Sequence, residues 1–431
     1  MHKKSELSIL VIGLGYVGLP LAVELSFYFA VGGYDIDEAK IKRLKKGEDE
    51  TETYTPEQLK KLKNLSFSHD AKCIKKYDII IVAVPTPVNE DRTPDFSCVK
   101  KVCEDIGEFS KQNVLIIFES TFYPGATEEI CIPIIEKPKR KIWKKDFNVG
   151  YSPERVNPGD RHHSVKTIAK IISADSELAL QKVRSIYEKI IDAEIVEVTS
   201  IKTAEACKVL ENTQRDVNIA LINEFAMFLD KLNIDTLEVI NASKTKWNFI
   251  PFTPGLVGGH CIGIDPYYLI HKASELNQKM SVVSSARGVN EHMVFFIKNK
   301  IENFIEKSGK RASQMSINVL GLTFKEDCND VRNSKAQTLI EELIKLGASL
   351  TLHDPHANKE IISKNWGYQS TDWKKLESSD FLIVCQAHSF YKDLDPSIIL
   401  SKSKAGGVVI ELKELLNPEF VSKNNRVHWR L

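Results

Sequence analysis

Near-continuous apolar runs, each one strand long, alternate with helix-length segments through the first 200 residues of this 431-residue chain. The runs are "LSILVIG" (7–13), "FAVGGYD" (29–35), "YDIIIVAV" (77–84), "NVLIIFES" (113–120), "FNVGYS" (147–152) and "AEIVEVTS" (193–200). Solid apolar runs, without alternation, mark strands covered on both faces, which is the condition of a parallel sheet. Helix-like stretches at 38–46, 56–63, 97–111 and 176–190 separate them. This is the βαβ rhythm of a doubly wound α/β domain, expected over residues 1–200. The rhythm stops at Lys202, where a thirty-residue stretch to Lys231 has helical periodicity and neither Gly nor Pro. That length predicts a long connecting helix within a central helical domain at 201–310. The βαβ pattern resumes at "SINVLGLTF" (316–324), a helix at 334–346, "SLTLHDP" (349–355), "DFLIVCQ" (380–386) and "GVVIEL" (407–412). The expected plan is two Rossmann-like doubly wound α/β domains, the second over 311–431, joined by the helical domain.

With 42% hydrophobic and 27% charged residues and a net charge of +1, nothing global draws the chain to nucleic acid or an anionic membrane. The basic run "KPKRKIWKK" (137–145) reads as a solvated connector. No stretch approaches the roughly 20 apolar residues of a bilayer span. The N-terminal "MHKKSELSILVIG" leads straight into a strand, so no signal peptide is expected and the cytoplasm is the expected compartment. The eight cysteines show no CxxC pair and no framework spacing, so disulfides are not expected there.

"GLGYVG" places Gly13, Gly15 and Gly18 in GxGxxG spacing directly after the first strand and at the start of a helix. Asp35 ends the second strand 17 residues after the third glycine. Such glycines allow a tight turn and close approach of a pyrophosphate to the helix N-terminus, with Tyr16 and Val17 in the same turn. A carboxylate at Asp35 suits ribose hydroxyls and repels a 2′-phosphate, so NAD is expected over NADP. Thr86, Ser120 and Thr121 follow the later buried strands in "VAVPTP" and "ESTFYPG". Their hydroxyls either line the cofactor crevice at the carboxyl ends of the strands or cap the following helices.

Within "PGLVGGHCIGIDPYYLI" (254–270), Cys261 lies among Gly258, Gly259 and Gly263, with Asp265 four residues on. His260 and Cys261 are adjacent, so their side chains diverge, and no second cluster completes a zinc tetrahedron; "DRHH" (160–163) reads as a solvated loop, and no metal is expected. An inert thiol would sit in an apolar run, as Cys385 does. Cys261 instead has the surroundings of a nucleophile. Beside a nicotinamide, such a thiol suggests oxidation of an alcohol through aldehyde, thiohemiacetal and thioester to an acid.

These motifs, together with "GYDID" (33–37), "GYSPERVNPGD" (150–160), "KTAEACKVLENTQRDVNIALINE" (202–224) and "GLTFKEDCNDVRNS" (321–334), resemble the UDP-sugar 6-dehydrogenases over almost the whole chain. Within that family the chain is most similar to the branch acting on UDP-N-acetylhexosamines (UDP-GlcNAc or UDP-GalNAc). The resemblance implies Cys261 as nucleophile and Asp265 as the carboxylate for proton transfer and hydrolysis. It implies Lys208 and Asn212 at the C6 oxygen, and Thr121 and Glu154 ordering the reactive hydroxyl and water. Arg155, Gly258, Gly259 and Lys325 fall to the substrate, and Thr86, Thr121 and Arg332 to the cofactor. Residues 311–431 become the UDP-sugar-binding domain. UDP-glucose dehydrogenases carry a Lys where this chain has Ile264, and a second glutamate where it has Asn157–Pro158. Both departures favour the N-acetylhexosamine branch over UDP-glucose. The resemblance also implies capsule or O-antigen supply, and the long helix suggests a homodimer or higher homo-oligomer. The rival expectations are a UDP-glucose or UDP-ManNAc enzyme, a two-electron hydroxyacid-type dehydrogenase, and a nucleotide-sugar binder without turnover.

Overall fold

A computed structural model describes residues 7–51, 53–156 and 165–431. The "DRHH" histidines and Asn157–Pro158 lie outside the described residues. The chain forms two compact units, Met1–Glu211 with Tyr267–Gln278, and Asn212–Pro266 with Lys279–Leu431.

In the first unit, β1 (Ser8–Ile12), β2 (Ala30–Tyr34), β3 (Leu65–Ser68), β4 (Ile79–Val82), β5 (Val114–Phe118), β6 (Phe147–Tyr151), β7 (Lys170–Ala174) and β8 (Ile195–Glu197) form one sheet. Their order is β3-β2-β1-β4-β5-β6-β7-β8, with the direction of winding reversing at β1. Helices α1 (Gly18–Ser26), α2 (Glu38–Lys46), α3 (Ser97–Phe109) and α4 (Glu177–Tyr187) accompany the strands. Ile9, Leu10, Val11 and all of β4 and β5 are buried, as strands covered on both faces require.

The all-parallel expectation fails at one step: β7 runs antiparallel to β6. An antiparallel neighbour needs no crossover helix, and no helix occurs in the described part of that connection. The basic run 137–145 is also less solvated than expected. Lys141 is buried, its Nζ donating to Ser110 O at 2.8 Å, and Trp143 Nε1 donates to Asp175 at 2.7 Å.

Helix α5 (Ile201–Leu232) is the long helix read from the sequence, 32 residues with its first part in one unit and the remainder in the other. Helices α6 (Asp265–Glu275), α7 (Ser281–Lys307) and α8 (Lys335–Lys345) follow. The second unit carries a parallel sheet of β9 (Ser316–Leu320), β10 (Ser349–His353), β11 (Ser379–Val384), β12 (Ser403–Glu411) and β13 (Val427–Arg430), in the order β10-β9-β11-β12-β13. Met293, Ile297 and Ile301 of α7 share its core with Val319, Leu339, Ile383 and Ile410. The architecture is thus two Rossmann-like α/β sheets and a long central helix. Among the described residues, no helix is long and apolar enough to cross a membrane.

Candidate active site

The glycine turn lies where the winding of the first sheet reverses. Gly13 has φ +90°, and a Cβ there would sit 2.7 Å from Ala83 O. A Cβ on Gly18 would collide with Gly13 O, so the third glycine lets α1 close on β1. A Cβ added at Gly15 would meet nothing within 4 Å, so this side of the turn is open to a ligand. The residue before α1 is Val17, which has no side-chain acceptor; Leu19 N already donates to Gly15 O at 3.1 Å and Pro20 has no N–H, so Gly18 supplies the first-turn amide that can meet an anion. Asp35 accepts from Leu14 N at 3.0 Å and Asp37 N at 3.0 Å, and Lys40 Nζ is 2.9 Å from its Oδ2. This turn fits NAD: the open Gly15 side and the Gly18 amide at the helix start suit a pyrophosphate, and Asp35 is held at the end of β2.

Thr86 and Ser120 cap no helix. Thr86 Oγ1 donates to Thr121 O at 2.9 Å and Ser120 Oγ to Val84 O at 2.7 Å, stapling the chain beyond β4 to the chain beyond β5. Tyr268 OH donates to Thr86 O at 2.7 Å on the same edge. Half-buried Thr121 is thereby held at the carboxyl end of the sheet. The turn after it is fixed by Glu205 of α5, which accepts from Gly125 N at 2.5 Å, Thr127 N at 2.9 Å and Thr127 Oγ1 at 2.6 Å.

Beyond β6, Glu154 and Lys208 come together, through the main chain: Lys208 Nζ donates to Glu154 O at 2.6 Å. The Glu154 carboxylate turns inward, accepting from Arg155 N at 2.7 Å and Val156 N at 2.5 Å and lying 3.2 Å from Lys170 Nζ. Burial alone would raise this carboxyl, but Lys170 and the Val156 amide hold it below its ordinary value. Arg155 pairs with Glu211 at 2.9 Å and donates to Ala169 O at 2.8 Å. Lys170 carried no sequence signal, since it opens a strand whose neighbours are known only from the fold.

In the second unit, Cys261 is exposed one turn before α6, its carbonyl accepting from Asp265 N at 2.9 Å. Asp265 is buried at the start of that helix and accepts from Asn212 Nδ2 at 2.6 Å. A buried polar ladder steadies the loop: Asn223 of α5 exchanges hydrogen bonds with Gly255 and donates to Asn290 Oδ1 at 2.8 Å, and Arg287 meets Asp216 at 2.6 Å. Gly258 and Gly259 have an evident packing reason. Added Cβ atoms would sit 2.6 Å from Asn333 O and 2.6 Å from the Phe324 ring, respectively. His260 Nδ1 faces Asn333 Nδ2 at 3.4 Å, and burial with Arg332 nearby holds the imidazole below its ordinary pKa. Ile264 is buried.

Arg332 makes a two-point contact with Asp330, at 2.9 and 2.7 Å, and remains half exposed; Lys325 is half-buried nearby in sequence. Asp327, His356 and His388 cluster in the second unit at ligand-like spacing. His388 is already engaged at both nitrogens, with Nδ1 accepting from Asp327 N at 2.9 Å and Nε2 3.0 Å from Asp354. The cluster reads as a hydrogen-bond network tying the 321–330 segment to β10 and β11.

Three profiles of the UDP-glucose/GDP-mannose dehydrogenase family match in order: the NAD binding domain over residues 7–191, the central domain over 202–292 and the UDP binding domain over 318–418. Protein CapL of Staphylococcus aureus is 44% identical over 424 residues, 98% of this chain and 99% of that protein. UDP-N-acetyl-D-glucosamine 6-dehydrogenase of Pseudomonas aeruginosa is 41% identical over 414 residues, 96% and 98% of the two chains. Among solved structures, a UDP-D-ManNAc dehydrogenase from Pyrococcus horikoshii matches with a TM-score of 0.86 at 29% identity, covering 95% of this chain and 96% of that one. With all three domains matched along its length, the chain belongs to the UDP-glucose/GDP-mannose dehydrogenase family, as an NAD-dependent UDP-sugar dehydrogenase.

Proposed function

We propose that the chain oxidises C6 of a UDP-N-acetylhexosamine, UDP-GlcNAc or UDP-GalNAc, to the uronic acid in a four-electron reaction. The observation that carries this reading is the exposed Cys261 beside a buried Asp265 that takes a hydrogen bond from Asn212, in a chain 41% identical to a UDP-N-acetyl-D-glucosamine 6-dehydrogenase. NAD, held by Gly13, Gly15, Tyr16, Val17, Gly18, Asp35 and Thr86, with Thr121 and Arg332, supplies hydride acceptance. The Cys261 thiolate adds to the C6 aldehyde, giving a thiohemiacetal whose oxidation leaves a thioester. Asp265 takes the proton from the attacking water, and the thiol is released with the carboxylate product. Lys208 and Asn212 stabilise charge on the C6 oxygen. Glu154 serves by presenting its carbonyl to Lys208, and Thr121 orders the hydroxyl. Arg155, Gly258, Gly259 and Lys325 belong to the sugar-nucleotide site.

Three domains are proposed, an NAD-binding domain at 1–200, a helical domain at 201–310 and a UDP-sugar domain at 311–431. They work as a homodimer in the cytoplasm and supply capsule or O-antigen precursors. The P. horikoshii likeness supports UDP-ManNAc as a second reading. A panel of UDP-sugars with NAD tests both. The expected result is two NADH per sugar with UDP-GlcNAc or UDP-GalNAc, and loss of steady-state turnover by about 1,000-fold or more in Cys261→Ser. One NADH with free aldehyde would remove the covalent route, and preference for UDP-ManNAc would select the second reading.

A further inference from the structure

The first unit buries one lysine between two glutamates behind the carbonyl that receives Lys208. Lys170 Nζ lies 3.2 Å from Glu119 Oε1 and 3.2 Å from Glu154 Oε2, with side chains 5%, 0% and 11% exposed. Tyr187 OH donates to the same Glu119 oxygen, and the Lys170 ammonium lies 5.1 Å from the centre of the Tyr187 ring. Among the described residues, Glu119 Oε2 is buried without a hydrogen-bond partner. Such a cluster is a poor way to stabilise a core: three charges are desolvated, one cation serves two carboxylates, and a carboxyl oxygen is left unsatisfied.

We propose that Lys170 is a positioning residue for the oxidation, and that Glu119 is its protonable partner. Lys170 pins the Glu154 carboxylate and thereby aims the Glu154 carbonyl at Lys208. The inference rests on the reading that Lys208 acts at the C6 oxygen. Both Glu154 oxygens are engaged, Oε1 by the amides of Arg155 and Val156 and Oε2 by Lys170, so the local backbone turns as one piece with the side chain. Withdrawing Lys170 frees that turn and, with it, the acceptor 2.6 Å from Lys208 Nζ.

Burial pushes the Glu119 carboxyl up to about 7, against the pull of Lys170. Lys170 is held above its ordinary value by the two carboxylates, in spite of burial, and Glu154 below its own. Burial and the Glu119 charge hold the Tyr187 phenol protonated. Among the described residues, the charged and titratable groups facing the cluster are Glu119 after β5, Glu154 after β6, Lys170 on β7, Tyr187 on α4 and Lys208 on α5. Glu119 is the carboxyl of the described cluster that burial lifts toward neutrality. Below that point Lys170 serves Glu154 alone and the carbonyl is held hardest; above it the lysine is shared.

The test uses the full-length enzyme, with NADH formation followed from pH 5.5 to 9. Wild-type kcat is expected to show a step near pH 7; Glu119→Gln keeps one lysine and one carboxylate, so it is expected to fold and to lose that step. Lys170→Met is expected to lower kcat by about tenfold or more, with KM for NAD within about threefold, and Lys170→Arg to recover most of the loss. A folded Lys170→Met enzyme with wild-type kcat, or a Glu119→Gln profile that keeps the step, overturns the proposal. A purely structural role would lower Tm but leave kcat per folded molecule and its pH profile unchanged. If Lys170→Met does not fold, the Glu119→Gln profile decides. Wild-type protein that forms no NADH from any UDP-sugar would overturn the functional reading itself, a result distinct from unaffected variants of an active enzyme.

Discussion

Glu205 accepts three hydrogen bonds from the turn at residues 125–127, yet burial pushes its carboxyl up to about 7. Folded chain therefore binds this proton more tightly than unfolded chain does. The stability so gained is complete below the ordinary carboxyl range, near 4.5, and is lost as pH rises through about 7. Glu205→Gln should flatten that slope, gaining on wild type by up to roughly 3 kcal/mol between pH 5 and 8. Urea denaturation at the two pH values checks it, and parallel slopes for the two proteins would refute it. At the other carboxylate, Asn212→Asp would set a second acid against buried Asp265, where Asn212 Nδ2 now donates at 2.6 Å. Like charges at that distance cannot both ionise readily. Turnover at pH 7 should fall by roughly 100-fold and recover in part at higher pH; an unchanged kcat would show that Asp265 needs no amide donor. The glycine turn was legible because its geometry is carried by spacing. Lys170 was not, because a lone lysine at a strand start looks like an exposed one until its neighbours are known.

At the scale of elements, α5 leaves Leu221, Phe225, Phe228 and Leu232 about half exposed at spacings of four, three and four, a single apolar stripe. Such a stripe on a long helix is the surface expected of the proposed homodimer. Leu221→Glu with Phe225→Glu should give a monomer by light scattering at micromolar concentration, with helix content retained. A wild-type monomer under those conditions would remove the claim. The helix itself was evident from thirty residues without Gly or Pro, and most strands from their solid apolar runs. β3, β7 and β13 escaped notice. "LSFS" is short and half polar, and "KIISA" opens on the lysine whose charge only the buried glutamates explain.

For the whole molecule, cofactor and nucleotide should protect different parts of the chain. Hydrogen exchange with NAD should slow at the Gly13–Gly18 turn and at Asp35, and NADP should give little effect. UDP should slow exchange within residues 318–418 of the second sheet's domain, the region matched by the family's UDP binding domain. UDP protection confined to the first sheet would contradict the proposed division of labour. Sequence by itself determined the two doubly wound sheets, the long helix, the NAD turn and the Cys261–Asp265 loop, since each is encoded in periodicity or spacing over a few dozen residues at most. Tertiary structure alone decided that Thr86 and Ser120 staple strand ends, that Glu154 meets Lys208 through its carbonyl, and that Lys170 lies between two glutamates. Those contacts join residues 35 and 54 positions apart, as in Thr86 with Thr121 and Lys208 with Glu154. The order and register of strands set such pairings, and no local pattern in the chain records them.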